Sequence, residues 1–242
     1  MKIDNKDQIV ILAGGIGKRL GNLTKKKPKS LLTFHKKPFI FYQMDLLKKK
    51  GFKNILILIG HQGQQIKKTF KNYNFSNLNI KFSNEGNKRL GTGGALKKAK
   101  KKLFDNFFLI YGDTYPQINF DQLKKNHFKK KLPYTMVVYK NMNKLDKSNV
   151  FIKKGKVINY SKLSKKAQHI DYGVSLIKKD ILKNIKKNSF DLGIVTKLII
   201  SSNMLNYLIE KKRFYEIGSL KGINQFNKFV KKKNEKNSII FE

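Results

Sequence analysis

Gly14, Gly15 and Gly17, then Arg19 and, ten residues further on, Lys29, are spaced as residues that hold an anion. Glycines let backbone N–H groups approach an anion closely, at φ values other residues avoid, and the two cations supply charge. Residues 9–12 (Ile-Val-Ile-Leu) precede them as a short apolar run of the kind a strand buried on both faces needs. Strand, bare backbone and positive charge together suit a polyphosphate. A P-loop is excluded, because Lys18 is followed by Arg19 where Ser or Thr is required. A dinucleotide fingerprint is excluded too: its third glycine falls at Leu20, and Gly60-His61 stands where an acid is wanted. A plain strand-to-helix turn is the bland alternative, but it has no need of Arg19 and Pro28-Lys29.

Four later constellations each follow a predicted strand, where ligands of doubly wound sheets bind. Leu90-Gly91-Thr92-Gly93-Gly94-Ala95 offers flat backbone to a base and a helix N-terminus to a phosphate. Glu85, just upstream, could accept from the N1–H and amino group of guanine, or lie exposed with no such role. Asp113, in Tyr111-Gly112-Asp113-Thr114, is placed to hold Mg²⁺ on a nucleotide, or else caps a turn. Asp171, in Ile170-Asp171-Tyr172-Gly173-Val174, could take two hydroxyl donors. Glu216, in Tyr215-Glu216-Ile217-Gly218-Ser219, is a second acid, with a purely structural role as its alternative. Acids are scarce, 15 against 54 Lys and Arg, so an acid in such a place carries more information than usual. The histidines (His35, His61, His127, His169) show no metal-binding spacing.

Residues 12–20 followed by Pro28-Lys29 resemble the signature of the sugar-1-phosphate nucleotidylyltransferases, and all five segments occur in that family's order. The resemblance covers residues 9–223. It implies a Rossmann-like fold of the nucleotide-diphospho-sugar transferase type. It also implies Mg²⁺-dependent attack of a sugar 1-phosphate on the α-phosphate of a nucleoside triphosphate, giving a nucleotide sugar and pyrophosphate. By resemblance Arg19, Lys29 and Asp113 are catalytic. Leu12, Ala13, Gly14, Gly15, Gly17, Arg19, Gly91 and Thr92, together with Glu85, hold the nucleotide. Lys162, Asp171 and Gly173 hold the sugar phosphate, and Asp113 and Glu216 the metal. Three departures stand out: Lys18 for the family's Thr, Glu216 for its second metal-binding Asp, and Ser161 for the Glu before Lys162. The heptose- or mannose-1-phosphate guanylyltransferases, which serve surface polysaccharide synthesis, are the most similar branch. A UTP- or CTP-using member and a nucleotide sensor without turnover are alternatives.

The elements that must position these residues alternate. Strands are predicted at 9–12, 54–59, 78–82, 107–111 and 134–139, and helices at 38–50, 62–70, 93–103 and 121–128. This is a doubly wound, mostly parallel α/β sheet. From residue 149 the rhythm turns β-rich: a hairpin at 150–160, strands at 169–177 and 205–209, and helices at 180–185, 192–201 and 223–230. The expectation is one nucleotidyltransferase domain over 1–242, with a nucleotide-binding part to about 140 and a sugar-phosphate part after it. The absence of cysteine excludes disulfides, thiolate zinc sites and a Cys nucleophile. No signal peptide and no run near the roughly 20 apolar residues of a membrane span is read, which suits the cytoplasm. A homodimer is compatible with this reading.

A net charge of +39 raises a nucleic-acid-binding module as the competing class. The lysines are dispersed, however, and nucleic acid is not expected as a specific partner. The two readings part on one variant. Nucleic-acid binding is steeply salt-dependent and survives Asp113→Ala, since removing an acid weakens no phosphate contact. A nucleotidyl transfer needing Asp113 loses its pyrophosphate release, while any filter-bound RNA signal is unchanged.

Overall fold

A computed structural model describes residues 1–86 and 88–238. Its elements in chain order are β1 (Gln8–Leu12), α1 (Asn22–Lys25), β2 (Thr33–Phe34), β3 (Lys37–Pro38), α2 (Phe39–Lys49), β4 (Asn54–Ile59), α3 (Gly63–Lys71), β5 (Asn79–Asn84), α4 (Gly91–Lys98), β6 (Asn106–Tyr111), β7 (Thr114–Tyr115), α5 (Phe120–Lys130), β8 (Tyr134–Lys140), β9 (Val150–Lys153), β10 (Lys156–Tyr160), β11 (His169–Lys178), α6 (Leu192–Ser201), β12 (Leu205–Glu210), β13 (Tyr215–Glu216) and α7 (Leu220–Ser238). Nine strands form one largely parallel sheet. Strands β5, β4, β1 and β6 run parallel, and so do β8 and β12. Strand β11 lies antiparallel between β6 and β8, and the β9–β10 hairpin hangs from its start.

β1 and β4 are apolar at every inner position because both faces of the sheet are covered. Ile9, Ile11, Ile55 and Ile57 pack toward Met44 and Leu47 of α2 and Ile66 of α3. Val10, Leu12, Leu56 and Leu58 pack toward Leu96 of α4 and Val195 of α6. A third cluster seats α7: Phe226 is fully buried and meets Phe34 and Phe39 edge-on, each at 4.9 Å between ring centroids. Burying a side chain of that size stabilises roughly 1.5–3 kcal/mol.

The structure departs from the sequence reading in four places. Residues 180–185 are not a helix; Lys179–Leu182 make one 3-10 turn, with Leu182 its buried residue. One buried side chain cannot anchor an amphipathic face, and helices this short lack intrinsic stability. The helix read at 93–103 ends as α4 at Lys98 and continues as a separate 3-10 turn, Lys100–Lys102. The last helix spans Leu220–Ser238 where the sequence reading has 223–230. It begins three residues earlier, because the Ser219 hydroxyl accepts from the Gly222 N–H at 3.0 Å and starts it, and it runs on past the apolar spacing that ends at Val230. The two-residue ladders β2–β3 and β7–β13 are too short to show any period.

A buried polar knot joins α5 to the sheet. His127 is bonded through Nδ1 to Thr135 Oγ1 at 2.9 Å and through Nε2 to Asn106 Oδ1 at 3.3 Å, and Asn206 donates to the same Thr135 oxygen. Burial pushes the His127 pKa down to about 4. The folded state therefore refuses a proton that the unfolded chain accepts near pH 6.5, so stability is full above that pH and falls as the pH drops toward 4. Urea unfolding between pH 7 and 4.5 should show a weaker loss of stability in His127→Gln than in the parent chain.

Candidate active site

The site is built where β1 and β6 end side by side, with Leu12 paired to Tyr111. The Gly112 N–H donates to the Leu12 carbonyl at 3.0 Å, and a Cβ on Gly112 would fall 2.7 Å from that oxygen. Only glycine lets the two strand ends close up, which sets Asp113 beside the glycine loop. On the opposite side Gln43 of α2, fully buried, donates to the carbonyls of Tyr111 (3.0 Å) and Thr114 (2.7 Å) and clamps that turn. No sequence signal marks Gln43; it sits on the apolar face of its helix.

Two clefts open here, one of about 690 Å³ and one of about 270 Å³. Tyr111 and Asp113 line both, so they form the wall between them.

The larger cleft holds Leu12, Ala13, Gly14, Gly15, Glu85, Gly91 and Thr92 of the expected nucleotide residues, together with Lys29 and Asp113 of the expected catalytic ones. Among the described residues, the N–H groups of Gly14, Gly15, Ile16 and Gly17 have no internal partner, which leaves them free for an anion. Gly17, at φ +73°, shapes the turn against Thr24 and lines neither cleft; Lys18 is exposed and also lines neither. Glu85 Oε2 accepts from the Leu90 N–H at 2.8 Å, which turns Oε1 into the space beside Gly14 and Gly60 that a Cβ on either glycine would take.

The Leu90–Ala95 segment does less for a ligand than its glycines suggest. The Gly93 and Gly94 N–H groups both donate to the Phe190 carbonyl, at 3.0 and 3.1 Å, and both glycines are packed against residues 188–190. Thr92 Oγ1 accepts from the Leu192 N–H at 2.8 Å, at the start of α6. These groups dock α4 on α6, and the two N–H groups at the start of α4 answer a carbonyl instead of a phosphate.

The smaller cleft gathers Arg19, Lys162, Asp171, Gly173 and Glu216. Arg19 therefore turns, in the free protein, toward the cleft opposite the one its expected triphosphate role requires. Its guanidinium lies 3.9 Å from Asp146, and Lys162 lies 3.4 Å from the same oxygen. Asp146 was missed by the sequence reading. Burial pushes its pKa up, but the Lys147 N–H, Lys162 and Arg19 outweigh that and hold it below the usual carboxylate range. Asp171 sits at a bulge in β11, where Gly173 adopts φ +75°. Its oxygens accept from the Gly173 N–H (2.8 Å) and the Tyr160 hydroxyl (3.0 Å), so the protein itself supplies one of the hydroxyl donors expected of a sugar. Burial raises the pKa of Asp171, and those two hydrogen bonds only partly offset it.

Asp113 and Glu216 are brought together by the β7–β13 ladder, which pairs Glu216 with Thr114, and by the Ile217 N–H donating to the Asp113 carbonyl at 2.9 Å. A Cβ on Gly218 would lie 2.9 Å from Glu216 Oε2, 3.0 Å from Asp113 Oδ2 and 2.9 Å from Arg19 Nη2. The three side chains thus converge on one point. Lys29 Nζ donates to Asp113 Oδ2 at 2.5 Å. Glu216 spends its extra methylene on folding back over Gly222: Oε2 accepts from the Gly218 N–H and Oε1 from the Ser219 hydroxyl, each at 2.5 Å. The two departures from the resembled motif, Glu216 and Ser219, are bonded to each other.

A largely parallel sheet, a glycine loop with free amides, and two carboxylates that converge on one point beside a lysine define a phosphate-transferring α/β enzyme. The family model described as Nucleotidyl transferase matches residues 8–156. This chain belongs to that family. It is 33% identical over 190 residues to a D-glycero-alpha-D-manno-heptose 1-phosphate guanylyltransferase of Campylobacter jejuni, covering 76% of this chain and 83% of that protein. It is 28% identical over 217 residues to the protein of the same name from Aneurinibacillus thermoaerophilus, covering 87% and 93%. The crystal structure of HddC from Yersinia pseudotuberculosis complexed with GMP-PN superimposes with a TM-score of 0.79 at 22% identity, over 93% of this chain and 99% of that one. No described helix is long and apolar enough to cross a membrane.

Gly218→Ala should displace the ends of Arg19, Asp113 and Glu216. Nucleotidyl transfer should fall by about two to three orders of magnitude, in line with losing one charge contact in the transition state, and the urea midpoint should drop modestly, because Glu216 also holds the start of α7.

Proposed function

We propose that this protein transfers a nucleotidyl group from GTP to a heptose or mannose 1-phosphate, releasing pyrophosphate, in the synthesis of a surface polysaccharide. The observation that carries the reading is the shared wall: Asp113 lines both clefts, between a triphosphate in the larger and a sugar phosphate in the smaller, and Lys29, which lines the larger, is bonded to it. On this reading residues 1–242 act as one nucleotidyltransferase domain, its parts dividing near residue 140. The reaction is cytoplasmic, where nucleoside triphosphates are made.

The attacking sugar phosphate is already an anion, so no general base is required. What the protein must supply is in-line positioning of two anions and charge to offset their repulsion. The free amides of Gly14, Gly15 and Ile16, which line the larger cleft, cradle the triphosphate. Lys29 leaves Asp113 for the α-phosphate and the incoming phosphate, and Arg19 swings from Asp146 to the leaving β- and γ-phosphates. Lys162 and Asp171 orient the sugar. Asp113 and Glu216 present hard oxygen donors to a common point, which fits Mg²⁺ bound by two carboxylates and substrate phosphates. Such an ion supplies neutralisation of the charge that develops on the leaving pyrophosphate. Glu85 favours guanine over a pyrimidine, because its Oε1 can accept from both the N1–H and the amino group.

Pyrophosphate release measured across GTP, UTP, CTP and ATP, each with a panel of sugar 1-phosphates, tests the reading. Release is expected with GTP and a heptose or mannose 1-phosphate. Asp113→Ala should lower it by at least about 10²–10³, and Glu85→Gln should reduce the preference for GTP. Silence in every well overturns the proposal.

A further inference from the structure

Lysine has displaced arginine almost everywhere in this chain: of 54 basic residues only three, Arg19, Arg89 and Arg213, are arginine. All three line the two clefts, although those clefts together hold just seven basic residues, three in the larger and four in the smaller. A composition that replaces guanidinium by ammonium wherever charge alone suffices retains it where a planar, forked donor is needed. Arg19 belongs to the transfer site already described, and Arg89 lies in the nucleotide cleft. Arg213, in the smaller cleft, has no role in that account.

Arg213 is held ready for a ligand. Its guanidinium lies over the Tyr215 ring at 4.6 Å, Nε donates to the Phe214 carbonyl at 3.2 Å, and Nη2 donates to Gln225 Oε1 at 2.8 Å. Nη1 takes no part in these contacts. Every acid of the same cleft is already engaged elsewhere. Asp146 is bridged by Arg19 and Lys162, Asp113 is bonded to Lys29, Glu216 to the start of α7, and Asp171 to Tyr160 and Gly173. Among the described residues neither Arg213 nor the neighbouring Lys221, on the first turn of α7, has an ion-pair partner. On that account the phosphates of both substrates have their cations in Arg19, Lys29 and Lys162, so this second pair is left over.

We propose that Arg213 and Lys221 form an anion-binding corner of the acceptor cleft, and that the acceptor is a sugar 1-phosphate bearing a second anionic group, a phosphate or a carboxylate, away from C1. The inference rests on the transferase reading above and narrows its acceptor. A bidentate Arg contact to such a group is geometric as well as electrostatic, and lysine does not reproduce it.

Three probes share one sugar: mannose 1-phosphate, mannose 1,6-bisphosphate and mannuronate 1-phosphate. Each is assayed for pyrophosphate release with GTP, and each alone for its shift of the thermal midpoint, using the parent chain, Arg213→Lys, Arg213→Gln and Lys221→Gln. In the parent chain the bisphosphate or the uronate should show a KM at least about ten-fold below that of mannose 1-phosphate and the larger thermal shift; which of them does so identifies the group. That advantage should collapse in both Arg213 variants, Arg213→Lys included, and shrink in Lys221→Gln, with the KM for GTP unchanged. Equal KM values and equal thermal shifts for all three probes, or an advantage that Arg213→Lys keeps, overturn the proposal. An equal fall for all three probes in the variants overturns it as well, since Arg213 then serves the reacting phosphate. Arg213-dependent thermal shifts without any pyrophosphate release sustain the anion corner and sink the transferase reading. Release that ignores the second anion does the reverse.

Discussion

Everything chemical in this protein depends on how closely the carboxyl ends of β1 and β6 approach. Gly112 has no Cβ, so its backbone sits against the Leu12 carbonyl and the Ala13 backbone, and Gln43 fixes the turn from behind. That contact makes the free amides of the glycine loop and the carboxylate of Asp113 neighbours. A wider gap would leave two half-sites, a phosphate cradle and an isolated acid. The parallel arrangement also explains why the site lies at this edge: all four parallel strands from β5 to β6 deliver their loops to one side of the sheet.

Charge in the site is arranged in exchangeable pairs. In the free protein the cations that phosphates would need are held by carboxylates: Lys29 by Asp113, Arg19 and Lys162 by Asp146. These pairs keep like charges from repelling one another around an empty cleft, and the exposed ones are weak enough for a phosphate to displace. Glu216 differs, because its oxygens also secure the start of α7. The helix that buries Phe226 and the carboxylate that faces Asp113 are therefore parts of one mechanical unit. The paired appearance of Glu216 and Ser219 follows from it: a longer acid needs a hydroxyl, and the close glycine Gly222, to take up its length.

The sequence by itself determined what strong local patterns can encode. Unbroken apolar runs announced β1, β4 and β6 because a strand covered on both faces has no polar side to show. Glycine spacing announced the phosphate loop, and scarcity made Asp113 and Glu216 conspicuous in a chain of lysines. It misjudged the 180–185 segment and the use of Gly93 and Gly94, because a glycine that admits a ligand and a glycine that admits Phe190 look the same in one dimension. The sequence grouped Asp113 with Glu216 by resemblance, but only the tertiary structure decided how distant residues meet: Arg19, Asp113 and Glu216 around Gly218, Asp146 between Arg19 and Lys162, and Arg213 in the same cleft. Those meetings are made by two-residue ladders, a bulge and a helix cap. Such features are too short to carry a period, and they exist only once the sheet has brought their partners within reach.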